Sequence, residues 1–450
     1  MFTPIVFHRH TSWCLFARRG PASDARRAVF LRAVVAAVVG IGAGCGEPGL
    51  TAPVPTALDV PTRRLVLTAP GEPVALGVVP RSGSTALGPS AARYVVLDTA
   101  VVRVDADGVV RGVGTGRTAV VVSAGALHDT IVVETAFTKP VWRFSVAGAI
   151  SSATLGGLRT DQLDREFQRH IDSVNARYGA SARFTAPGGF TGHVVFVPTT
   201  VRVFTRTPRE ELTEAAPDAD FKVVYHTDLS ISYANYDAKS RVVQIGSLPG
   251  QVFTDALIGD LSRVTTLTHE LAHARGAVDL LFFDVHDALS NPLDGKTFMF
   301  PPSIMHADET PVWDPLTVYI INASAGRRDA TFLAGADTMV PAWRVTVADP
   351  RGTPVAGAVV TAYMFDPELR SREVTRFVPA PDMACITDVA GACTIPHKTR
   401  PAVVMSQLVY LVGATKGERL ASVWAPLTDI AAFATAQPGL PYPVNVTLPN

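Results

Sequence analysis

Apolar residues along this chain follow two different rhythms, and the rhythm changes twice. From Asp59 to Thr135 they alternate with polar ones in short runs, at Arg64–Thr68, Val74–Val79, Tyr94–Leu97, Val102–Val104, Ala119–Val122 and Thr130–Val133, with turn residues between them. A period of two broken by turns at close spacing predicts a small β-sandwich. Between residues 139 and 330 the pattern is mixed. Val141–Val146, His193–Val197, Phe221–His226 and Arg241–Ile245 read as strands. Leu163, Phe167, Ile171, Val174 and Tyr178 form one stripe of an amphipathic helix over Thr160–Tyr178. A second long helix is expected over Asp255–Arg275. From residue 337 onward the texture returns to β, with Trp343–Ala348 and Val355–Ala362 read as paired strands around a turn at Asp349–Gly352.

The predicted fold class is therefore multidomain: an α+β central domain (139–330) flanked by two all-β sandwiches (59–136 and 337–450). Residues 46–58 are Pro-rich and read as a tether. Ahead of them, residues 1–45 combine a basic start with an apolar run, Ala28–Gly44, that ends in small residues. That run is too short for a convincing membrane span and reads as an export leader. Its end, Ile41-Gly42-Ala43-Gly44-Cys45, resembles the lipobox of bacterial lipoproteins. The resemblance implies acylation of Cys45 and a cell-envelope or secreted location, with membrane attachment through the lipid.

Composition narrows the function classes. At 450 residues, 47% hydrophobic, with 40 basic and 40 acidic side chains, the chain has no net charge. No basic stripe points to nucleic acid, and no acidic tail points to a solvating role. Of the four cysteines, Cys14 and Cys45 fall in the leader. Cys385 and Cys393 flank a turn signal between two strand-like runs, where an exported protein is expected to form a disulfide across a hairpin.

The candidate chemistry lies on the second helix. His269 and His273 are four residues apart, so both can reach one metal ion, and Glu270 stands between them. Leu257, Leu261, Val264, Leu267 and Leu271 cluster on one side of that helix. The two histidines fall about 160° from the middle of that stripe, which puts the leucines toward a core and the histidines toward a cleft. Gly276 is the residue type that ends a helix most cheaply in a left-handed conformation. The chain can then double back so that Asp279 becomes a third ligand, leaving a fourth position for water. His286 is the alternative third ligand; it requires a longer loop. His306 is expected to make a structural hydrogen bond, and His170 and His226 are read as surface or satisfied core residues. Asp308 and Glu309 are less suited as ligands than the Gly276–Asp279 spacing.

The whole string from His269 to Asp279 resembles the metzincin clan of zinc peptidases in its Asp form, H-E-x-x-H-x-x-G-x-x-D. A second motif of that clan, the Met-turn, is matched by Ser303-Ile304-Met305-His306. The resemblance implies Zn2+ held by His269, His273 and Asp279, Glu270 as general base, and Met305 as an apolar floor. It also implies a protein or peptide substrate added as an extra strand to an antiparallel edge, for which Tyr233–Ile245 is the candidate. The side-chain pocket would then lie within Leu280–Phe300, where Leu281, Phe282, Phe283 and Phe298 suggest an apolar preference. Some clan members carry a Tyr two residues after the methionine; this chain has Ala307, so the oxyanion would rest on zinc and Glu270. The stretch from Asp98 to Gly116 resembles the bacterial Ig-like group 2 domain, which implies a spacer or adhesive module. The stretch from Val347 to Ala358 resembles Ig-like and carboxypeptidase-regulatory-like sandwiches. Two rivals stay open: a surface adhesin or scaffold with a vestigial protease domain, and a zinc hydrolase of a non-peptide amide.

Overall fold

The computed structural model describes residues 53–179, 186, 188–228, 230, 234–247, 263–281, 284–286, 291, 293–306, 312–329, 339–364, 381, 383–397 and 409–450. Cys14, Cys45 and the leader lie outside these residues, as do Tyr233, Leu257, Leu261, Phe282, Phe283, Ala307, Asp308 and Glu309. The architecture is a multidomain mix of several β-sheets and helices.

The first region is built of strands, with one short 3-10 turn at Pro89–Ala91. It contains β1 (Ala57–Asp59), β2 (Arg64–Leu67), β3 (Val74–Ala75), β4 (Val79–Ser82), β5 (Thr85–Ala86), β6 (Arg93–Val96), β7 (Val102–Val104), β8 (Val109–Gly112), β9 (Gly116–Ala124) and β10 (Leu127–Thr135). They form three small sheets, ordered β1-β4-β5, β2-β10-β9-β6 and β3-β8-β7. Alternation does the work here. On β9 and β10, Val120, Val122, Ile131 and Val133 point inward and are buried, while their neighbours are not. Leu67, Leu76, Val102 and Val110 complete a core of their own. The strand β1 begins at Ala57, inside the stretch read from sequence as tether. The chain is already held there, since Thr56 N–H donates to Arg81 O at 2.7 Å and Ala57 pairs with Arg81.

The second region is built on a five-stranded sheet of β11 (Val141–Ser151), β12 (His193–Phe204), β13 (Phe221–His226), β14 (Ala234–Asp237) and β15 (Val242–Gly246), in the order β12-β11-β13-β15-β14. All pairings are parallel except β14 with β15, so β14 is an antiparallel edge strand. The six residues of β13 are buried on both faces; Phe221, Val223, Val224 and Tyr225 supply the apolar surface, while Lys222 and His226 are buried with Glu211 and Gln244 as partners. Between strands lie α1 (Ser152–Leu155), α2 (Leu163–Tyr178) and α3 (Pro208–Thr213); α4 (Arg263–His273) and α5 (Pro315–Ser324) follow the sheet. All five residues of the α2 stripe are buried against the sheet. On the opposite edge, α2 shields β12: Asn175 Nδ2 donates to Phe196 O and Phe196 N–H donates to Asn175 Oδ1, each at 2.8 Å. A side-chain amide thus satisfies backbone groups that an edge strand would leave open.

The third region holds β16 (Ala342–Ala348), β17 (Val359–Met364), β18 (Met383–Ile386), β19 (Ala392–Pro396), β20 (Val409–Lys416), β21 (Arg419–Pro426), α6 (Leu427–Ala436) and β22 (Tyr442–Thr447). Two sheets, β19-β16-β22 and β18-β17-β20-β21, meet through Trp343 and Tyr410, whose rings are 4.6 Å apart edge to face. Three sequence expectations need correction, the first being that β16 and β17 pair with each other: they belong to different sheets. The region is not all-β, because α6 interrupts it. Leu427, Ile430, Ala431 and Ala434 have helical spacing and are buried, and four of the ten residues are alanine, the best helix former. Cys385 and Cys393 are disulfide-bonded, but they do not face each other across one hairpin ladder. Their strands, β18 and β19, belong to different sheets, so the bond staples the two sheets together.

One continuous cluster of buried side chains runs from Trp142 and Phe144 through Leu267, Met305 and Trp313 to Trp343, Tyr410 and Ile430. The second and third regions therefore share a core, and α5 packs on α6.

Candidate metal centre

The helix α4 is held on its core side by Val264, Leu267 and Leu271. Its neighbours tie it further: Tyr178 hydroxyl donates to Thr268 O at 3.1 Å, and Arg177 donates to Thr265 Oγ1 at 2.6 Å. Leu257 and Leu261, the first part of the expected stripe, fall outside the described residues.

The C-terminus of α4 is a Schellman motif. Gly276 N–H donates to His273 O at 2.9 Å and Ala277 N–H to Ala272 O at 3.0 Å, with Gly276 at φ 89°. A side chain at that φ is strained, so glycine is what lets the chain reverse there. The reversal carries Asp279 back over the helix.

Three donor atoms converge as a result. Asp279 Oδ1 lies 2.9 Å from His269 Nε2 and 3.2 Å from His273 Nε2, and the two Nε2 atoms are 3.1 Å apart. Two tetrahedral ligands of a metal at about 2.1 Å stand about 3.4 Å from each other, so this spacing is close to that of a shared ion. The far side of each ring explains the orientation. His269 Nδ1 meets Ile304 O at 2.6 Å and His273 Nδ1 meets Ala277 O at 2.9 Å. A carbonyl only accepts, so both Nδ1 atoms carry a proton, and both Nε2 atoms turn inward, where each can hold a proton against Asp279 or offer a lone pair to a metal. Two imidazole nitrogens and a carboxylate oxygen in one spot repel unless a proton or a metal ion sits among them. The donor set and its spacing fit a metal ion, and His269, His273 and Asp279 could hold one.

Proton affinities follow the same logic. Burial alone would lower His273, but the Asp279 carboxylate outweighs it and pushes the imidazole up to about 9. His269 is raised too, against burial, by its hydrogen bond to Asp279. Burial would raise Asp279, yet the two histidines hold it well below the usual carboxylate range. Glu270 goes the other way: burial raises it, and the histidines only partly offset the effect. Its residue is 5% exposed, and its Oε2 is buried with no hydrogen-bond partner, a poised proton acceptor beside the cluster.

The remaining sequence candidates separate. Met305 is fully buried in the shared core; its carbonyl accepts from Leu280 N–H at 2.8 Å, one residue beyond Asp279. His286 is exposed, 3.9 Å from Asp284 Oδ2, and is not among the residues that converge. His306 meets Asp284 Oδ2 at 2.9 Å. His170 is buried against the Tyr225 hydroxyl at 2.8 Å, and His226 against Gln244 at 3.3 Å. Cys385 and Cys393 lie in the disulfide of the third region.

Two residues that sequence reasoning passed over matter here. Arg275 sits in an unassigned position of the motif and is fully buried. Its guanidinium donates to Arg327 O at 2.6 Å, Ala325 O at 2.7 Å and Ser324 Oγ at 3.0 Å, and lies 4.0 Å over the Phe144 ring. It thereby covers the negative C-terminal end of α5 and locks α4 to it. Nothing in its local sequence signals this. Asp284, two residues before His286, is the second.

No family model matches the chain, and no curated protein matches it. Among solved structures it is similar to a bacterial Ig-like domain containing GH10 xylanase from termite gut, with 16% identity and a TM-score of 0.14 over 21% of this chain and 26% of that one. The chain spans about a quarter of that protein's length. A likeness this slight carries no argument. What can be said of the chain rests on the site: a buried His-His-Asp cluster able to coordinate a metal ion, as in metal-binding enzymes generally.

Proposed function

We propose that this protein is a zinc-dependent endopeptidase of the bacterial cell envelope, with a metzincin-like catalytic region between Ig-like modules. One observation carries the reading: two imidazole Nε2 atoms and a carboxylate oxygen converge beside a buried glutamate whose Oε2 has no partner. His269, His273 and Asp279 would hold the ion. Bound there, zinc supplies Lewis acidity to a water molecule and to the scissile carbonyl. Glu270 handles the proton. Its carboxylate accepts one from the attacking water as the C–O bond forms, and delivers it to the amide nitrogen as the C–N bond breaks. A proton affinity raised by burial suits a group that must both take and return a proton.

The edge strand β14 offers a place for substrate to add as a further antiparallel strand through main-chain hydrogen bonds. The Cys385–Cys393 disulfide supports export to an oxidising compartment. Attachment to the membrane would come through acylated Cys45; among the described residues no helix is long and apolar enough to cross a membrane.

The deciding experiment compares wild type and Glu270→Gln for zinc content and for cleavage of a peptide library. We expect one zinc per chain in both proteins and hydrolysis by the wild type alone. Cleavage by metal-loaded Glu270→Gln would overturn the mechanism. Wild type that purifies without zinc would favour the scaffold, and zinc without any peptide cleavage would favour a hydrolase of other amides.

A further inference from the structure

Asp279 and the carbonyl of Ile304 approach the histidines from the two ends of one long excursion of the chain, residues 277–306. A loop of that length has a large conformational entropy and does not hold its ends to within an ångström unaided. Three sets of contacts brace it. At the base, Leu280 N–H donates to Met305 O at 2.8 Å. Further out, Val285 and Phe298 exchange backbone hydrogen bonds at 2.7 and 3.0 Å. At the tip, Asp294 accepts from Ser422 N–H at 2.9 Å and Lys296 donates to Ser422 O at 2.8 Å, which pins the excursion to β21.

Between base and middle lies Asp284, whose two oxygens are used separately. Oδ1 accepts from Phe300 N–H at 2.8 Å, and Oδ2 meets His306 Nε2 at 2.9 Å. Both residues of the side-chain pair are buried, Asp284 at 5% and His306 at 6% exposure. The other ring nitrogen of His306 is buried without a partner, so Asp284 alone supplies the ring with a hydrogen bond. His306 adjoins Met305 and stands two residues from Ile304, whose carbonyl orients His269.

We propose that Asp284 is the positioning residue of the metal centre. It clamps the segment that follows Asp279 to the returning turn that aims His269. The proposal rests on the metal-centre reading given above. Asp284 touches no ligand atom; it acts through the two segments that do. A carboxylate is the side chain suited to this place, because one planar group must accept from a backbone N–H and from an imidazole in two directions. Groups that hydrogen-bond a ligand directly contribute ten- to a hundred-fold to metal affinity, and Asp284 acts by holding the backbone of Ile304, which is such a group, in place.

The test uses the full chain and two probes, Zn2+ for affinity and Co2+ for the visible spectrum of the site. Asp284→Ala should weaken zinc binding ten- to a hundred-fold and alter the Co2+ spectrum. Asp284→Asn, which keeps an acceptor for Phe300 and a polar contact to His306, should recover most of the affinity. Asp294→Ala, which loosens only the tip, should lower the melting temperature of the metal-free protein while leaving zinc affinity within about twofold. If Asp284→Ala does not fold, His306→Ala, which removes half of the clamp, carries the same two readings and should also lose affinity. Affinity within twofold of wild type and an unchanged Co2+ spectrum in the folded variant overturn the proposal, whatever happens to the melting temperature. Failure of the wild type to bind either ion would instead sink the metal-centre reading itself.

Discussion

Filling the His-His-Asp cluster with zinc at neutral pH must expel protons, and the size of the effect can be worked out. In the metal-free protein Asp279 lifts His273 to about 9, so at pH 7 this imidazole is almost wholly protonated. Zinc needs its Nε2 lone pair. Each pH unit below about 9 then weakens apparent zinc affinity tenfold through this group alone, about a hundred-fold at pH 7. His269 is raised as well and adds to the slope where it titrates. The same proton stabilises the metal-free fold. Its folded value lies above the free imidazole's 6.5, so the contribution is fully present below pH 6.5 and is lost as pH rises through about 9. The gap corresponds to roughly 3 kcal/mol. On the acid side the same ion pair fails as Asp279, held low in the folded state, finally takes a proton. Zinc titrations by calorimetry, repeated in buffers of different ionisation enthalpy, should count at least one proton released per zinc at pH 7.5. Melting of the metal-free protein should fall between pH 6.5 and 9, while the zinc-loaded protein should not follow it. Zinc affinity that is flat over this range, with no proton released, would refute the assignment of a shared proton to the cluster.

Three further outcomes test the scaffold. Arg275→Met keeps most of the buried volume but leaves the carbonyls of Ala325 and Arg327 without their charged donor; urea denaturation should register a loss of about 3 kcal/mol, and a loss under about 1 kcal/mol would mean those groups find other partners. Asn175→Leu removes both hydrogen bonds to the Phe196 backbone on the edge of β12 and should cost about 2 kcal/mol by the same assay. Asp294 is held down to about 2, despite burial that would raise it, by Lys296 and Ser422, so docking of the loop tip persists above the usual carboxylate range and fails as pH drops through about 2. Protection of the Ser422 amide, relative to the free-chain exchange rate at the same pH, should fall in that acid window and in Asp294→Ala at any pH; equal protection in the variant would contradict the docking.

What the sequence disclosed depended on how locally each feature is specified. The helix α2 was readable because five residues at helical spacing all face one sheet, and β13 because Phe221, Val223, Val224 and Tyr225 mark a strand that can be buried on both sides. The helix α5 was not, although Asp314 caps it and Pro315 opens it. Its interior carries Val318, Ile320 and Ile321, whose β-branched side chains favour strands, and packing against α6 overrides that preference. The helix α6 was missed for the opposite reason: four of its ten residues are alanine, a signal quiet beside the strands around it. At the site, the spacing of His269, Glu270, His273, Gly276 and Asp279 is local and stood out. Arg275 and Asp284 did not, because their partners at Arg327, Phe300 and His306 are distant in sequence and include backbone atoms that no residue type announces.

That division also bears on how the centre works. The helical wheel correctly turns the histidines away from the leucine side, yet it makes their face look open, whereas the chain after Gly276 folds over it and leaves His269 only 9% exposed. The covering segments are the ones that fix the rings, through the carbonyls of Ala277 and Ile304. Burial and orientation therefore come from the same backbone. Each ring has one nitrogen committed to a carbonyl and one turned inward, so the ligand geometry exists before any ion arrives. Metal binding then requires little rearrangement of protein, and its free energy is set against protons rather than against chain entropy. A centre of this kind should bind zinc with an affinity that depends steeply on pH and weakly on denaturants short of unfolding. A site assembled by its metal would show the reverse.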